Sequence, residues 1–137
     1  MLKVFEEKEL FEMALVNTKL CRNLGLQVAV LQGGEGNIPH VHVVDADGLD
    51  TCVNLTTCEY FAHGKHKGKM NKKQKDKFVQ IMDELTNIAV EISDGNFKKL
   101  TGYQNAVKLW VESYEDDYSK FVVGEDGLPV NIDYSKL

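Results

Sequence analysis

The sequence predicts an α+β domain built on a small antiparallel sheet. Short segments rich in Val and Leu lie between residues 26 and 56, and turn residues separate them. Longer segments with helical periodicity lie on both sides of this region. Strands that follow one another directly, instead of alternating with helices, favour antiparallel pairing and the α+β class.

The first part of the chain is predicted to form a helix followed by a strand. Residues 6–24 carry apolar side chains on one broad helical face, and Gly25 follows as a C-terminal stop. Residues 26–32 then predict a strand, which leads into a glycine-rich loop at 33–37.

Two more strands are predicted over residues 38–45 and 49–56. Asp47-Gly48 lies between them and is a strong hairpin signal. We therefore expect a sheet of about three strands, which contains the β-hairpin 38–56.

Two amphipathic helices are predicted over residues 71–93 and 101–115. Each begins with polar residues at the spacing of a capping box and continues with an apolar stripe of period 3.6. The two capping pairs are Asn71 with Gln74 and Thr101 with Gln104. We expect both helices to pack on one face of the sheet.

Length and composition predict one soluble domain. The chain has 137 residues, of which 43% are hydrophobic and 27% charged, so residues 1–117 fit a single α+β domain and 118–137 a C-terminal extension or hairpin packed on it.

The sequence also carries signals for localisation. No apolar run approaches the roughly 20 residues that span a bilayer. The N-terminus carries acids where a secretory signal is apolar, and the three cysteines are odd in number. We therefore expect a cytoplasmic protein with reduced thiols and no membrane partner.

The register of the hairpin decides which side chains meet across it. A two-residue turn would pair His42 with Val53, whereas a three-residue loop over 46–48 would pair Val41 with Val53 and His42 with Cys52. The second register collects the apolar side chains on one face and the polar ones on the other, and we favour it for that reason.

The polar face of the hairpin is a candidate site. His40, His42 and Cys52 offer the imidazole and thiol groups that bind a divalent metal such as zinc, and His40 or His42 is also a candidate general acid or base. The alternative is a purely structural role, because two histidines on a half-exposed strand usually form a polar sheet face or a pair of hydrogen-bonded imidazoles. Val44 lies where a histidine-triad hydrolase would carry its third histidine, which excludes that family. The sequence leaves open whether the protein is an enzyme.

Residues 63–77 form a second candidate site, with seven lysines and one acid in a chain of net charge −5. Clustered ammonium groups favour contact with the phosphates of RNA, DNA or a nucleotide, although a solvated helix face is the alternative. The candidate phosphate-binding residues are Lys65, Lys67, Lys69, Lys72 and Lys73. A protein partner or a homodimer is a further possibility, through the acidic third helix or the C-terminal extension.

One short motif resembles a known family. The segment that begins Ile38-Pro39-His40 resembles the Pro-Pro-His-Phe-His strand of a small bacterial domain-of-unknown-function family, which is associated with toxin–antitoxin and mobile-element modules. The resemblance covers residues 26–112, with Ile38 in place of the first proline of the motif. The positions that match are Pro39, His40, His42, Gly68, Lys69 and, as the later tryptophan, Trp110. The resemblance implies no particular activity.

Overall fold

The computed structural model of the protein describes residues 13–31, 38–62, 64, 66–130 and 133–137. The predicted loop at 33–37 and the predicted site residue Lys65 lie outside these ranges. The elements follow in the order β1 (Met13–Leu15), α1 (Thr18–Leu24), β2 (Gln27–Leu31), β3 (His40–Val44), β4 (Asp50–Asn54), α2 (Lys72–Asp83), β5 (Leu85–Ser93), β6 (Asn96–Thr101), α3 (Gly102–Tyr114) and a 3-10 turn (Tyr118–Lys120).

The architecture is α+β, as the sequence predicts. The described strands form a four-stranded antiparallel sheet in the order β1-β2-β3-β4 and a separate two-stranded antiparallel sheet of β5 and β6. In the central hairpin Val41 faces Val53 and His42 faces Cys52. The favoured register is therefore confirmed.

The turn of this hairpin is closed by one carboxylate. Asp45 Oδ1 accepts hydrogen bonds from the backbone N–H of Asp47 at 3.0 Å and of Leu49 at 2.9 Å. Side-chain closure of this kind stabilises a turn that is longer than two residues. The hydrogen bond to Leu49 is the largest cause that holds the pKa of Asp45 below its usual range.

The hydrophobic core lies between the four-stranded sheet and the helices. Val41 and Val43 of β3 are fully buried, and they belong to the same core cluster as Phe78 of α2 and Trp110 of α3. Phe121 also belongs to it, although it lies beyond residue 117. The proposed division of the chain at residue 117 stays a prediction. In the described part of the chain, no helix is both long and apolar enough to cross a membrane.

The predicted N-terminal helix over 6–24 is wrong in part. Residues 1–12 lie outside the described ranges, residues 13–15 form β1, and the helix begins only at Thr18. Asn17 is the N-cap residue, but its side chain does not cap this helix. Its buried amide instead donates hydrogen bonds to the carbonyls of Ile81 at 3.3 Å and Glu84 at 3.4 Å. Gly25 ends the helix in the left-handed conformation, as predicted.

The predicted helix over 71–93 is also wrong in its second half. It ends at Asp83, and residues 85–93 form β5. Ile88 and Ile92 are four residues apart, which suits one face of a helix, but they also lie an even number of residues apart, which suits one face of a strand. The β-branched composition of 86–92 favours the strand.

The junction of α2 with α3 depends on a close backbone approach. A Cβ atom on Gly102 would lie 2.0 Å from the carbonyl oxygen of Ile81, and the Gly102 N–H donates to the carbonyl of Glu84 at 3.1 Å. Only glycine fits there without displacing α2. Both predicted capping boxes are confirmed at the starts of α2 and α3.

Candidate metal centre

The central hairpin brings His40, His42 and Cys52 together. His40 and His42 lie two residues apart on one face of β3, and the register places Cys52 of β4 directly opposite His42. One ligand atom from each side chain can be chosen so that all three lie within 4.8 Å of one another. The side chains are buried, with residue exposures of 1% for His40, 3% for His42 and 0% for Cys52. Within the described ranges, no other group of His, Cys, Asp and Glu side chains meets the same condition.

A backbone contact determines the roles of the ring nitrogens of His40. His42 Nδ1 lies 3.4 Å from Cys52 Sγ. His40 Nδ1 lies 2.6 Å from the carbonyl oxygen of Ile38. Because a carbonyl can only accept, His40 Nδ1 donates, and the lone pair of its neutral ring is on Nε2. Metal-binding histidines are commonly oriented in this way.

Aromatic rings shield one side of the cluster. The ring centroid of His40 lies 5.0 Å from that of Phe61 and 5.4 Å from that of Trp110. Trp110 stacks on Tyr114 at 3.9 Å, and its indole N–H donates to Asp116 at 3.1 Å. The site is thus a polar cluster in apolar surroundings, where electrostatic interactions are strong.

A fourth side chain of the same chemistry lies next to the cluster. The ring of His66 meets that of His42 edge-on, with the centroids 4.7 Å apart. Asp50 of β4 hydrogen-bonds His66 Nδ1. The sequence offers His63 or His66 as a further ligand only if the loop after the hairpin folds back, and His63 lies outside the described residues. No sequence signal gave a role to Asp50, although it precedes Cys52 by two residues and so lies on the same strand face.

The other two cysteines differ from Cys52 in their surroundings. Burial raises the pKa of Cys58 to about 12, with smaller contributions from Asp133 and Asp83. Burial also raises the pKa of Cys21. Both therefore remain neutral thiols at physiological pH, and neither belongs to the histidine cluster.

The lysines of the second candidate site lie at the surface. Lys67, Lys69, Lys72 and Lys73 are all exposed, and Lys72 forms an ion pair with Asp76 at 3.1 Å. The capping box of α2 already uses the backbone N–H groups of its N-cap and third residues. A phosphate at this helix start would therefore depend on the lysine side chains more than on the backbone. Phosphate binding at these residues stays a prediction.

Comparison of the chain with protein-family models, with curated proteins and with solved structures finds no match. The resemblance of the His40 segment to the bacterial family therefore stays a prediction, as do a protein partner and a homodimer. The chemistry of the site has to be argued from its own geometry.

Proposed function

We propose that the protein binds a divalent transition metal ion, zinc in the first place, through His40, His42 and Cys52. The observation that carries this proposal is the convergence of three ligand atoms within 4.8 Å inside a buried cluster. Two imidazoles and one thiol form a donor set that suits zinc. Magnesium and calcium prefer oxygen ligands, so this donor set disfavours them.

The distances in the cluster are compatible with a tetrahedral ion. Zinc–nitrogen and zinc–sulfur bonds of about 2.0–2.3 Å place neighbouring ligand atoms roughly 3.3–3.7 Å apart. His42 Nδ1 and Cys52 Sγ are already 3.4 Å apart. The widest separation, at most 4.8 Å, requires the side chains to move by about 1 Å. The backbone of the hairpin can remain as it is.

The burial of the donors supports binding more than hydrolysis. A substrate of a histidine-based hydrolase would have to reach rings that are only 1% and 3% exposed. A metal ion needs no such access once it is bound, and a metal bound to the folded state stabilises that state. A hydrolase centred on His40 and His42 is therefore the less favoured alternative.

Competition with a chromophoric zinc chelator tests this proposal. We expect tag-free wild-type protein to withdraw one zinc ion per chain from the chelator, and Cys52→Ala to withdraw none at the same concentration. Cys21→Ala is the matched control, because it removes an equally buried thiol that lies outside the cluster. Equal zinc uptake by wild type and Cys52→Ala would contradict the assignment of Cys52.

A second proposal concerns nucleic-acid contact through the exposed lysines of residues 66–73. It is favoured by the position of the Lys69 ammonium group, which lies 5.9 Å from the centroid of the Tyr60 ring. In such an arrangement the ammonium group can contact a phosphate while the aromatic ring stacks on a base. We expect RNA or DNA binding that weakens steeply as the salt concentration rises.

Lysine substitutions separate this second proposal from general charge attraction. Replacing Lys69, Lys72 and Lys73 by Ala is expected to abolish binding at low salt. The matched control replaces Lys98, Lys99 and Lys108, which removes the same charge from another surface. Binding that falls equally in both triple variants would contradict a specific lysine surface, and so would the absence of binding by wild type.

A further inference from the structure

We infer that His66 is the fourth protein ligand of the proposed metal site and that Asp50 positions its ring. This inference rests on the metal-binding proposal of the preceding subsection. It is carried by a second, independent set of contacts, because His66 belongs to the segment after β4 and not to the hairpin that holds the other three donors.

Both ends of the loop that carries His66 are fastened to the strand that carries Cys52. At one end, the N–H of Phe61 donates to the carbonyl of Cys52 at 2.9 Å. At the other, the N–H of Gly68 donates to the carbonyl of Asp50 at 3.1 Å, and the Thr51 hydroxyl donates to the carbonyl of Gly68. These bonds fix where the loop leaves and rejoins β4.

Gly68 permits the close approach of this loop. A Cβ atom at this position would lie 3.2 Å from the carbonyl oxygen of Asp50, a contact tighter than a side chain normally tolerates. The absence of a side chain lets the backbone run against β4 two residues after His66. The loop is thereby held where the rings of His66 and His42 meet at right angles, with their centroids 4.7 Å apart. His66 lies outside the group of three whose ligand atoms converge within 4.8 Å, so its ring has to turn toward them when an ion binds.

The contact with Asp50 prepares His66 to bind a metal. A carboxylate that accepts from Nδ1 leaves the lone pair of the neutral imidazole on Nε2, and it makes the ring a stronger ligand. His40 is arranged in the same way by the carbonyl of Ile38. His40 and His66 thus each use Nδ1 as a donor, and the neutral form of each ring has its lone pair on Nε2.

A fourth protein ligand changes the class of the site. Structural zinc sites are closed by four protein ligands, whereas catalytic sites keep one position for water. His66 is the outermost donor, since its side chain is 23% exposed while the other three residues are buried. We infer a closed site in which His66 is the ligand next to solvent. It is therefore the ligand that dissociates first when the ion is exchanged.

Cobalt(II) is a suitable probe, because a bound thiolate gives a charge-transfer band in the near ultraviolet and the visible bands report the other ligands. We expect wild-type protein to show the thiolate band and visible bands that do not change when azide is added. His66→Ala is expected to keep the thiolate band, to bind at least about tenfold more weakly, and to change its visible spectrum with azide, which can occupy the vacated position.

Two further variants complete this experiment. Asp50→Asn keeps the His66 ring and removes the carboxylate, so we expect binding roughly 10- to 100-fold weaker with the wild-type spectrum retained. This variant carries the test if His66→Ala fails to fold. Asp47→Asn, which removes an exposed carboxylate from the turn of the same hairpin, is the control and is expected to bind as wild type does.

The outcomes separate this inference from the proposed function. If wild-type protein shows no thiolate–cobalt band, metal binding by Cys52 fails and the role of His66 fails with it. If the band is present but azide already changes the wild-type spectrum, or His66→Ala binds cobalt as tightly as wild type, the metal site stands and His66 is not its ligand. If His66→Ala does not fold, wild-type affinity in Asp50→Asn overturns the inference.

Discussion

At the scale of single residues, Trp110 is the side chain best placed to report on the site. It is the one tryptophan of the chain, and its ring lies 5.4 Å from that of His40. An ion held by His40 would therefore lie within about 9 Å of the centre of the indole ring. The same ring stacks on Tyr114 and donates its N–H to Asp116, so its orientation does not depend on the metal.

We predict that cobalt(II) or copper(II) quenches the fluorescence of Trp110 and that the quenching saturates at one ion per chain. The reason is the short distance between His40 and the indole. Titration of metal-free protein, with emission as the readout, checks this prediction. His40→Gln should lose the saturable quenching, whereas Cys21→Ala should keep it. Quenching that rises linearly without saturation in wild type would indicate collisions with free ions instead.

Asp116 gives a pH dependence with a definite sign. The side chain of Lys120, the backbone N–H of Asp117 and the indole of Trp110 donate hydrogen bonds to it and hold its pKa below the usual range, while partial burial opposes the shift. A carboxylate whose pKa is lowered in the folded state adds stability above its unfolded pKa of about 3.9, and this stability is lost as the pH falls through the lower folded value.

We therefore predict that Asp116→Asn lowers the free energy of unfolding by about 1 kcal/mol at pH 7. The difference from wild type should begin to shrink as the pH falls below about 4, where Asp116 of the unfolded chain becomes protonated, and it should vanish only below the lower pKa of the folded state. Denaturant unfolding at several pH values measures both quantities. A difference that is constant between pH 3 and pH 7 would show that the charge of Asp116 contributes nothing.

At the scale of elements, the ends of helices and the pairing of strands were predicted correctly where a single local sequence rule decides them. The capping boxes at Asn71 and Thr101 need only polar side chains at a fixed spacing, and both are found in the structure. Gly25 ends α1 for a similarly local reason, its left-handed backbone. The hairpin register was also predictable, because only one alignment collects the valines on one face.

The boundary between α2 and β5 could not be predicted, because two rules apply there at once. The spacing from Phe78 to Ile92 suits a helix of period 3.6, and the β-branched residues of 86–92 suit a strand. Contacts distant in sequence decide between them, among them the hydrogen bond from the Gly102 N–H to the carbonyl of Glu84. A local pattern does not contain this information.

Truncation of a phenylalanine should have different effects in α2 and in the sheet of β5 and β6. Phe78 in α2 is fully buried, so Phe78→Ala should lower the free energy of unfolding by about 3–5 kcal/mol. Phe97 in β6 is 66% exposed, so Phe97→Ala should change it by about 0.5 kcal/mol or less. Denaturant unfolding of both variants makes the comparison. Similar losses in the two would contradict the exposed position of Phe97 in β6.

At the scale of the whole molecule, the site joins parts of the chain that only the fold brings together. Alternation along β3 and the hairpin register predicted the cluster of His40, His42 and Cys52. The position of His66 was not predictable, because the length of the loop after β4 does not determine where that loop returns to β4. The backbone bond between Gly68 and Asp50 determines that.

Metal binding at this position should stabilise the whole fold. Three of the proposed ligands belong to β3 and β4, which form one hairpin of the four-stranded sheet. An ion that binds only the folded state adds about 2.7 kcal/mol at a free concentration 100 times its Kd. We therefore predict that zinc raises the Tm of metal-free wild-type protein and that a chelator reverses the increase. Cys52→Ala should show no increase. An equal increase in Cys52→Ala would point to binding elsewhere on the chain.

The most direct test of the metal-binding proposal is the metal content of the protein as it is produced in cells. The protein should be purified without a histidine tag, and its zinc, nickel, iron and manganese should be measured together with its concentration. We predict close to one zinc ion per chain in wild type and in Cys21→Ala, and close to none in Cys52→Ala. Clearly sub-stoichiometric amounts of all four metals in wild type, unchanged after incubation with zinc and desalting, would contradict the proposal.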